Sequence, residues 1–428
     1  MATACELKKN LQQGVYDALF ISLYGVDMVE KQRARYAAAI EAFEELFPTA
    51  TDLHLFSAPG RTEIGGNHTD HNHGRVLAGS IDLDVIAVAA PTDSVICVKS
   101  EGYPMDETDL ADLEIHPEEE GKSAALLRGT AAGFKKNGYN VGGFCAYTTS
   151  CVLKGSGLSS SAAFEVLCGT VLNHLYNNAA IKPQEIAQIA QYAENVYFGK
   201  PCGLLDQTAS AMGGIVAIDF ADTSAPVIEQ IAFDFAAHGI KLCVVDSGGN
   251  HADLTPEYAA VPKEMKAVAA ALGVSVLQET SREALLKNLA EIRATVGDRA
   301  VLRALHFFAE NERVLKETAA LKAADIPAFF EGILSSGHSS FEYLQNVYPT
   351  SAPHEQGLSL ALCLAQRELE GNGAWRVHGG GFAGTTLNFV PTEKLAHFCE
   401  TMESAFGKGS CYVLNIRPYG GICLDTMV

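Results

Sequence analysis

The stretch that most limits how this chain can fold is Lys154-Gly155-Ser156-Gly157-Leu158-Ser159-Ser160-Ser161-Ala162-Ala163. Residues 143–152 before it read as a strand, and residues 160–176 after it read as a helix. Glycines at 155 and 157 let the backbone take positive φ and approach a ligand with no Cβ in the way. The serines open the helix, where the first N–H groups lack intrahelical partners and the dipole favours negative charge. Together these make a nest suited to a di- or triphosphate, and a serine hydroxyl at the helix start can also ligate Mg²⁺. The plainer alternative is a serine-capped helix after a tight turn. Two other stretches match phosphate-loop patterns in letters only. Residues 379–384, Gly-Gly-Gly-Phe-Ala-Gly, precede a β-like run, so a dinucleotide fold is excluded by context. Residues 332–339 nearly spell a P-loop but carry His338 where lysine belongs.

Any phosphate must be held by such local devices, because the chain is strongly acidic. Lys and Arg number 31 against 51 Asp and Glu, a net charge of −20. That field repels nucleic acid and anionic membranes, and neither is expected as a partner. With 48% hydrophobic residues in 428, a sizeable core is affordable and roughly two to three domains fit the length. The 11 cysteines are scattered without a CxxC, which fits buried thiols in a reducing compartment better than disulfides or zinc. The segment MATACELKKN has no continuous apolar run, and no stretch approaches the ~18 apolar residues of a membrane span. A cytoplasmic location is expected.

Along the chain, residues 31–47 read as an amphipathic helix with Tyr36, Ile40, Phe43 and Phe47 on one face, ended by Pro48. Residues 53–57 read as a strand entering the loop Ala58-Pro59-Gly60-Arg61, and 76–90 as a second strand. Residues 124–135 and 183–198 read as helices, 215–220 as a strand. The second half begins near Ala221, with strands at 241–246, 386–390 and 411–416 among helices, 302–324 being the clearest. Two packed α+β halves with a cleft between them are expected, divided as 1–220 for sugar and ATP and 221–428 for the second domain.

With these stretches in place, the chain resembles the GHMP kinase superfamily and, within it, the galactokinase family. Ala58-Pro-Gly-Arg-Thr-Glu-Ile-Gly-Gly-Asn-His-Thr-Asp-His-Asn72 is similar to the family's APGRVNLIGEHTDYN, and the Gly-Ser loop to PxGGGLSSSA. Val377-His-Gly-Gly-Gly-Phe-Ala-Gly384 is similar to TGxGFGG, and Pro201-Cys-Gly-Leu-Leu-Asp-Gln207 to the segment bearing the catalytic aspartate. The resemblance implies an α+β, two-domain GHMP kinase fold: an N-terminal domain like domain 2 of ribosomal protein S5 and a ferredoxin-like C-terminal domain. It implies transfer of phosphate from ATP, with Mg²⁺, to the anomeric hydroxyl of D-galactose. No oligomeric state follows from sequence; a monomer or weak homodimer is expected.

The resemblance also implies roles. Asp206 accepts the sugar's proton and Arg61 sits beside it at the transferred phosphoryl group. Gly155, Ser156, Gly157, Leu158, Ser159 and Ser160 hold the ATP phosphates, and Ser161 with Glu194 holds Mg²⁺. Asn67, His68, Asp70, Gly203 and Tyr258 contact the sugar. On residue type alone Asp206 could be a helix cap and Glu194 an exposed helix residue. The run His68, Asp70, His71, His73 invites a zinc reading, but four ligands from one short loop fit a closed tetrahedral site poorly. Asn67 stands where the family has glutamate, which leaves open a related sugar such as galacturonate. A catalytically silent sugar sensor is the alternative of another class.

Overall fold

Strand β1, His54–Gly65, and strand β2, Arg75–Thr92, are long and nearly all buried because both faces of their sheet are covered. The computed structural model describes residues 2–152, 157–200, 202–249 and 254–428. Side chains alternate across a strand, so β1 and β2 feed two different cores. Phe56, Ala58, Ala87 and Ala89 face one core with helices Ser160–Asn177 and Pro183–Tyr192. Leu53, Leu55, Ile86, Val88 and Ala90 face the other, built with helices Ala4–Gln12, Asp17–Tyr24 and Val29–Leu46. Tyr36, Ile40 and Phe43 point inward as their spacing predicts, while Phe47 caps the helix end.

The remaining strands are β3 Val95–Ser100, β4 Met105–Asp109, β5 Gly143–Ser150, β6 Ile215–Asp219, β7 Val227–Ile231, β8 Ile240–Asp246, β9 Ala374–Val377, β10 Thr385–Pro391, β11 Cys411–Leu414 and β12 Ile422–Cys423. The first sheet runs β12-β1-β2-β5-β3-β4, with β6 and β7 branching from β2. Its only parallel pair among the described residues is β3 with β5. The second sheet runs β11-β8-β10-β9. In it Leu242, Val244, Leu387 and Phe389 join the core of the first sheet. Cys243, Val245, Trp375 and Val390 face the opposite way, onto Phe398 and Met402 of helix Leu395–Phe406. The first sheet therefore takes strands from beyond residue 220, through β7 and again through β12.

Sequence reading expects a loop at 58–61; the structure keeps these residues in β1. Pairing with β2 slips between Pro59 and Arg61 and again between Glu63 and Gly65. Proline cannot donate to the ladder, so an irregular register is where a strand tolerates it. Residues 332–339 lie inside helix Ile326–Ser339 and form no loop. Among the described residues no helix is long and apolar enough to cross a membrane.

Candidate active site

Because β1 continues through its first irregularity, Arg61 is delivered from a strand and held on several sides. Its backbone N–H donates to Leu158 O at 3.1 Å, and its guanidinium donates to Gly157 O. Gly60 has to be glycine for this approach, since a Cβ there would lie 2.7 Å from Leu158 O. Arg61 Nε then donates to Asp206 Oδ1 at 2.7 Å.

Asp206 lies in the first turn of helix Leu205–Met212 without capping it, the N-cap being Leu204. Burial opposes its ionisation. The Arg61 charge and hydrogen bond and the Ser159 hydroxyl, which donates to Oδ2, outweigh burial and hold the pKa below the ordinary value of 3.8. Asp206 is thus an ionised carboxylate with its side chain still 36% exposed.

Gly157, Leu158, Ser159 and Ser160 follow in the expected order. Gly157 has φ +72 and Ser159 has φ 60, ψ 58, a left-handed N-cap whose side chain turns to Asp206 and makes no cap. The first N–H groups of helix Ser160–Asn177 are therefore not covered by a capping side chain. Gly155 and Ser156 lie outside the described residues.

Ser161 Oγ is 3.4 Å from Glu194 Oε1, so these two residues meet as the resemblance implies. Glu194 is not on an ordinary helix: residues Ala193–Tyr197 form a π turn, a geometry that turns its carboxyl inward until the side chain is 3% exposed. Three residues that the sequence reading missed complete this corner. Lys200 Nζ lies 3.0 Å from Glu194 Oε1, and Gln207 Nε2 donates to Glu194 Oε2 at 2.7 Å and to Glu165 Oε2 at 3.2 Å. Glu165 is fully buried and its Oε1 has no partner. Burial first, then the Glu194 charge, pushes its pKa well above 4.5. Its spacing of four from Ser161 on one helix was the available signal. The carboxyl groups of Glu194 and Glu165, the latter with its unpartnered oxygen, and the Ser161 hydroxyl fit a hard cation such as Mg²⁺, which takes oxygen ligands and keeps much of its water.

Of the residues expected at the sugar, Asp70 and Gly203 meet: a Cβ on Gly203 would lie 2.0 Å from Asp70 Oδ2. His68, with φ 58, has its Nε2 2.9 Å from Gly380 O, and burial lowers its pKa to about 4, so the ring is neutral and Nε2 donates. Tyr258 OH donates to Gly381 O at 2.9 Å, and its ring stands edge-on to Phe382 at 5.4 Å. The third motif, residues 377–384, thus receives both His68 and Tyr258 through its backbone carbonyls. His378 joins it to β1, accepting from Glu63 N at 3.2 Å through Nε2.

Asn67 departs from its expected place. It is fully buried, and its amide donates to Glu63 Oε1 at 2.9 Å and Gly379 O at 2.7 Å while accepting from Ser340 and Asn346. Every polar atom of the side chain is taken, so this placement does not support a direct sugar contact. The carboxylate of this corner is Glu63, paired with Arg376 Nη2 at 2.7 Å.

Comparison with known proteins places the whole chain. Residues 41–91 match the galactokinase galactose-binding signature, and residues 125–214 match the N-terminal domain of GHMP kinases. The galactokinase of Streptomyces coelicolor is 32% identical over 369 residues, covering 86% of this chain and 92% of the relative. That of Homo sapiens is 28% identical over 397 residues, covering 91% and 97%. Lactococcus lactis galactokinase complexed with galactose superposes with a TM-score of 0.77 at 24% identity, over 89% of this chain and 98% of that one. L. major mevalonate kinase superposes with 0.57 at 14% identity. Fold and site together define a GHMP kinase, with the α+β architecture the motifs imply. Within that superfamily the chain belongs to the galactokinase family.

Proposed function

We propose that this chain phosphorylates D-galactose at the anomeric hydroxyl with ATP, giving α-D-galactose 1-phosphate and ADP. The observation that carries the reading is Asp206, kept ionised by Arg61 at 2.7 Å and still part-exposed beside the start of helix Ser160–Asn177. In the reaction the hydroxyl proton passes to Asp206, the freed oxygen bonds the γ-phosphorus, and the bond to the β-phosphate oxygen breaks to release ADP. Arg61 balances the charge that spreads over the phosphoryl oxygens. The uncapped N–H groups after Ser159 receive the phosphates. Ser161 and Glu194 would hold Mg²⁺ with Glu165 behind them, and the ion supplies charge neutralisation at the phosphate oxygens when bound. Asp70, His68, Gly203 and Tyr258 orient the sugar, an acceptor carboxylate being well suited to a pair of hydroxyls.

The division into a sugar- and ATP-binding unit over 1–220 and a second unit over 221–428 belongs to this proposal, as do a cytoplasmic location and a monomer or weak homodimer. A uronic acid is the less favoured acceptor, because Asp70 beside Gly203 would repel its carboxylate. Asp206→Asn is expected to keep ATP and sugar binding while turnover falls by roughly 10²–10⁴-fold, measured by coupled ADP release. Near-normal turnover in that variant would remove the assignment. A panel of galactose, galacturonate, N-acetylgalactosamine, glucose and talose is expected to rank galactose first. ADP release that ignores every sugar would favour a sensor.

A further inference from the structure

At the far end of the helix that begins at the phosphate site, a second group of metal-binding side chains comes together. His54 at the start of β1, His174 in the last turns of helix Ser160–Asn177 and Cys423 in β12 each place one ligand atom within 4.8 Å of the others. Cys423 Sγ is 3.6 Å from His174 Nε2. Ligand atoms around one tetrahedral zinc, at about 2.0–2.1 Å for nitrogen and 2.3 Å for sulfur, are separated by about 3.5 Å. The spacing already suits a shared ion.

What surrounds the three residues resembles a prepared site more than a chance meeting. Asp425 Oδ2 accepts from His54 Nδ1 at 3.2 Å and from Cys423 Sγ at 3.8 Å, while Asp52 Oδ1 lies 3.6 Å from His54 Nε2. A carboxylate on the back of a ligating imidazole fixes its tautomer and raises its basicity. Asp425 is in turn anchored: its Oδ1 accepts from Tyr16 OH at 2.8 Å and its Oδ2 from Leu55 N at 3.1 Å. His174 and Cys423 line a cavity of about 200 Å³, and His54 keeps 20% of its side chain exposed, so an ion has a way in.

We propose that His54, His174 and Cys423 bind a zinc(II)-class ion, with Asp425 as the carboxylate that orients His54. The mixed nitrogen and thiolate set selects zinc over magnesium, which needs oxygen ligands. The site is separate from the kinase chemistry, because His174 lies 13 residues from Ser161, roughly 20 Å along the helix. Its role is structural: the ion joins β1, the phosphate-site helix and the C-terminal strand.

The test uses the full chain, stripped with a chelator and titrated with Co²⁺ in the presence of a thiol-free reductant. One equivalent is expected to produce intense visible bands of tetrahedral cobalt and a near-ultraviolet thiolate charge-transfer band, both abolished by Zn²⁺. Zn²⁺ itself is expected to raise the thermal midpoint. Cys423→Ser should lose the charge-transfer band, and Asp425→Asn should weaken Co²⁺ binding by about 10–100-fold. His174→Gln covers the case in which Cys423→Ser fails to fold, and an unchanged spectrum in it overturns the proposal. Absence of the thiolate band in the folded wild type does the same. So does a band that survives Cys423→Ser and vanishes in Cys411→Ser, which would place the ion among Cys243, Cys399 and Cys411 instead.

Discussion

Arg61 acts on Asp206 in two ways that can be separated by pH. Its charge and hydrogen bond depress the Asp206 pKa, while burial works in the other direction. In the wild type the carboxylate is therefore ionised down to below 3.8, and the acid limb of kcat should lie low. Arg61→Met leaves the burial and removes the counter-charge, so the limb should move upward, above the ordinary carboxylate range. A kcat profile against pH checks the shift, and a limb that stays in place would separate Asp206 from the rate. At the same scale, Asn67 shows what single-residue reading loses. Its letter suggests a weakened sugar contact, but its partners Glu63, Ser340, Asn346 and Gly379 decide its role, and three of these lie in the second half of the chain.

Among the elements, helices Asp298–Lys322 and Ile326–Ser339 meet β1 over an unusual residue, Glu317. Its side chain is 1% exposed and neither carboxyl oxygen has a hydrogen-bond partner. Gly65 and Gly332 make the space, since Cβ atoms there would lie 2.1 Å and 2.7 Å from it. Burial first, with the Glu310 charge, raises its pKa well above 4.5. A carboxyl raised on folding contributes stability below its unfolded pKa, and that contribution is lost as pH rises through the folded value. Glu317→Gln should thus raise the thermal midpoint at neutral pH, and the gain should shrink as pH falls from the folded value toward about 4.5 and be absent below it. Melting curves across that range test it.

The elements also show which parts of the site were legible. Helix Ser160–Asn177 and the strand before it follow from local patterns whose residues lie close in sequence, while Ser161 and Glu194, 33 residues apart, are paired by the family resemblance alone. The π turn at Ala193–Tyr197 carries no such mark, because its periodicity differs from α by one residue over a single turn. The loop expected at 58–61 fails for the opposite reason. Pro and Gly are strong local signals, but an eight-stranded sheet absorbs them as register shifts. Strands β9 and β12, of four and two residues, are defined by their partners alone.

At the scale of the whole molecule, the two sheets are tied by buried charge. Arg417, from the segment after β11, reaches Asp84 of β2 at 3.1 Å with both side chains fully buried. Asp84 also takes Arg35 at 2.6 Å and Tyr24 OH at 2.6 Å, so the last part of the chain, the first sheet and the N-terminal helices share one carboxylate. Removing one member of a buried pair costs about 3–5 kcal/mol. Arg417→Met should fall near 3 kcal/mol, because Arg35 still neutralises Asp84. Arg293→Ala, whose pair with Asp298 is 65% and 67% exposed, should leave the same urea titrations almost unchanged.

The pairing of β12 with β1 has a consequence for how the molecule comes into being. Phe56 lies opposite Cys423, so the edge of the first sheet is closed by residues made after the whole second sheet. On a ribosome, the segment bearing Arg61, Ser161 and Asp206 emerges early and waits for its last strand and for Arg417. Long-range pairing of this kind is slow, and an unclosed edge is open to association with other chains. A chain halted before residues 422–423 should therefore expose this edge of β1 and self-associate more readily than the full chain.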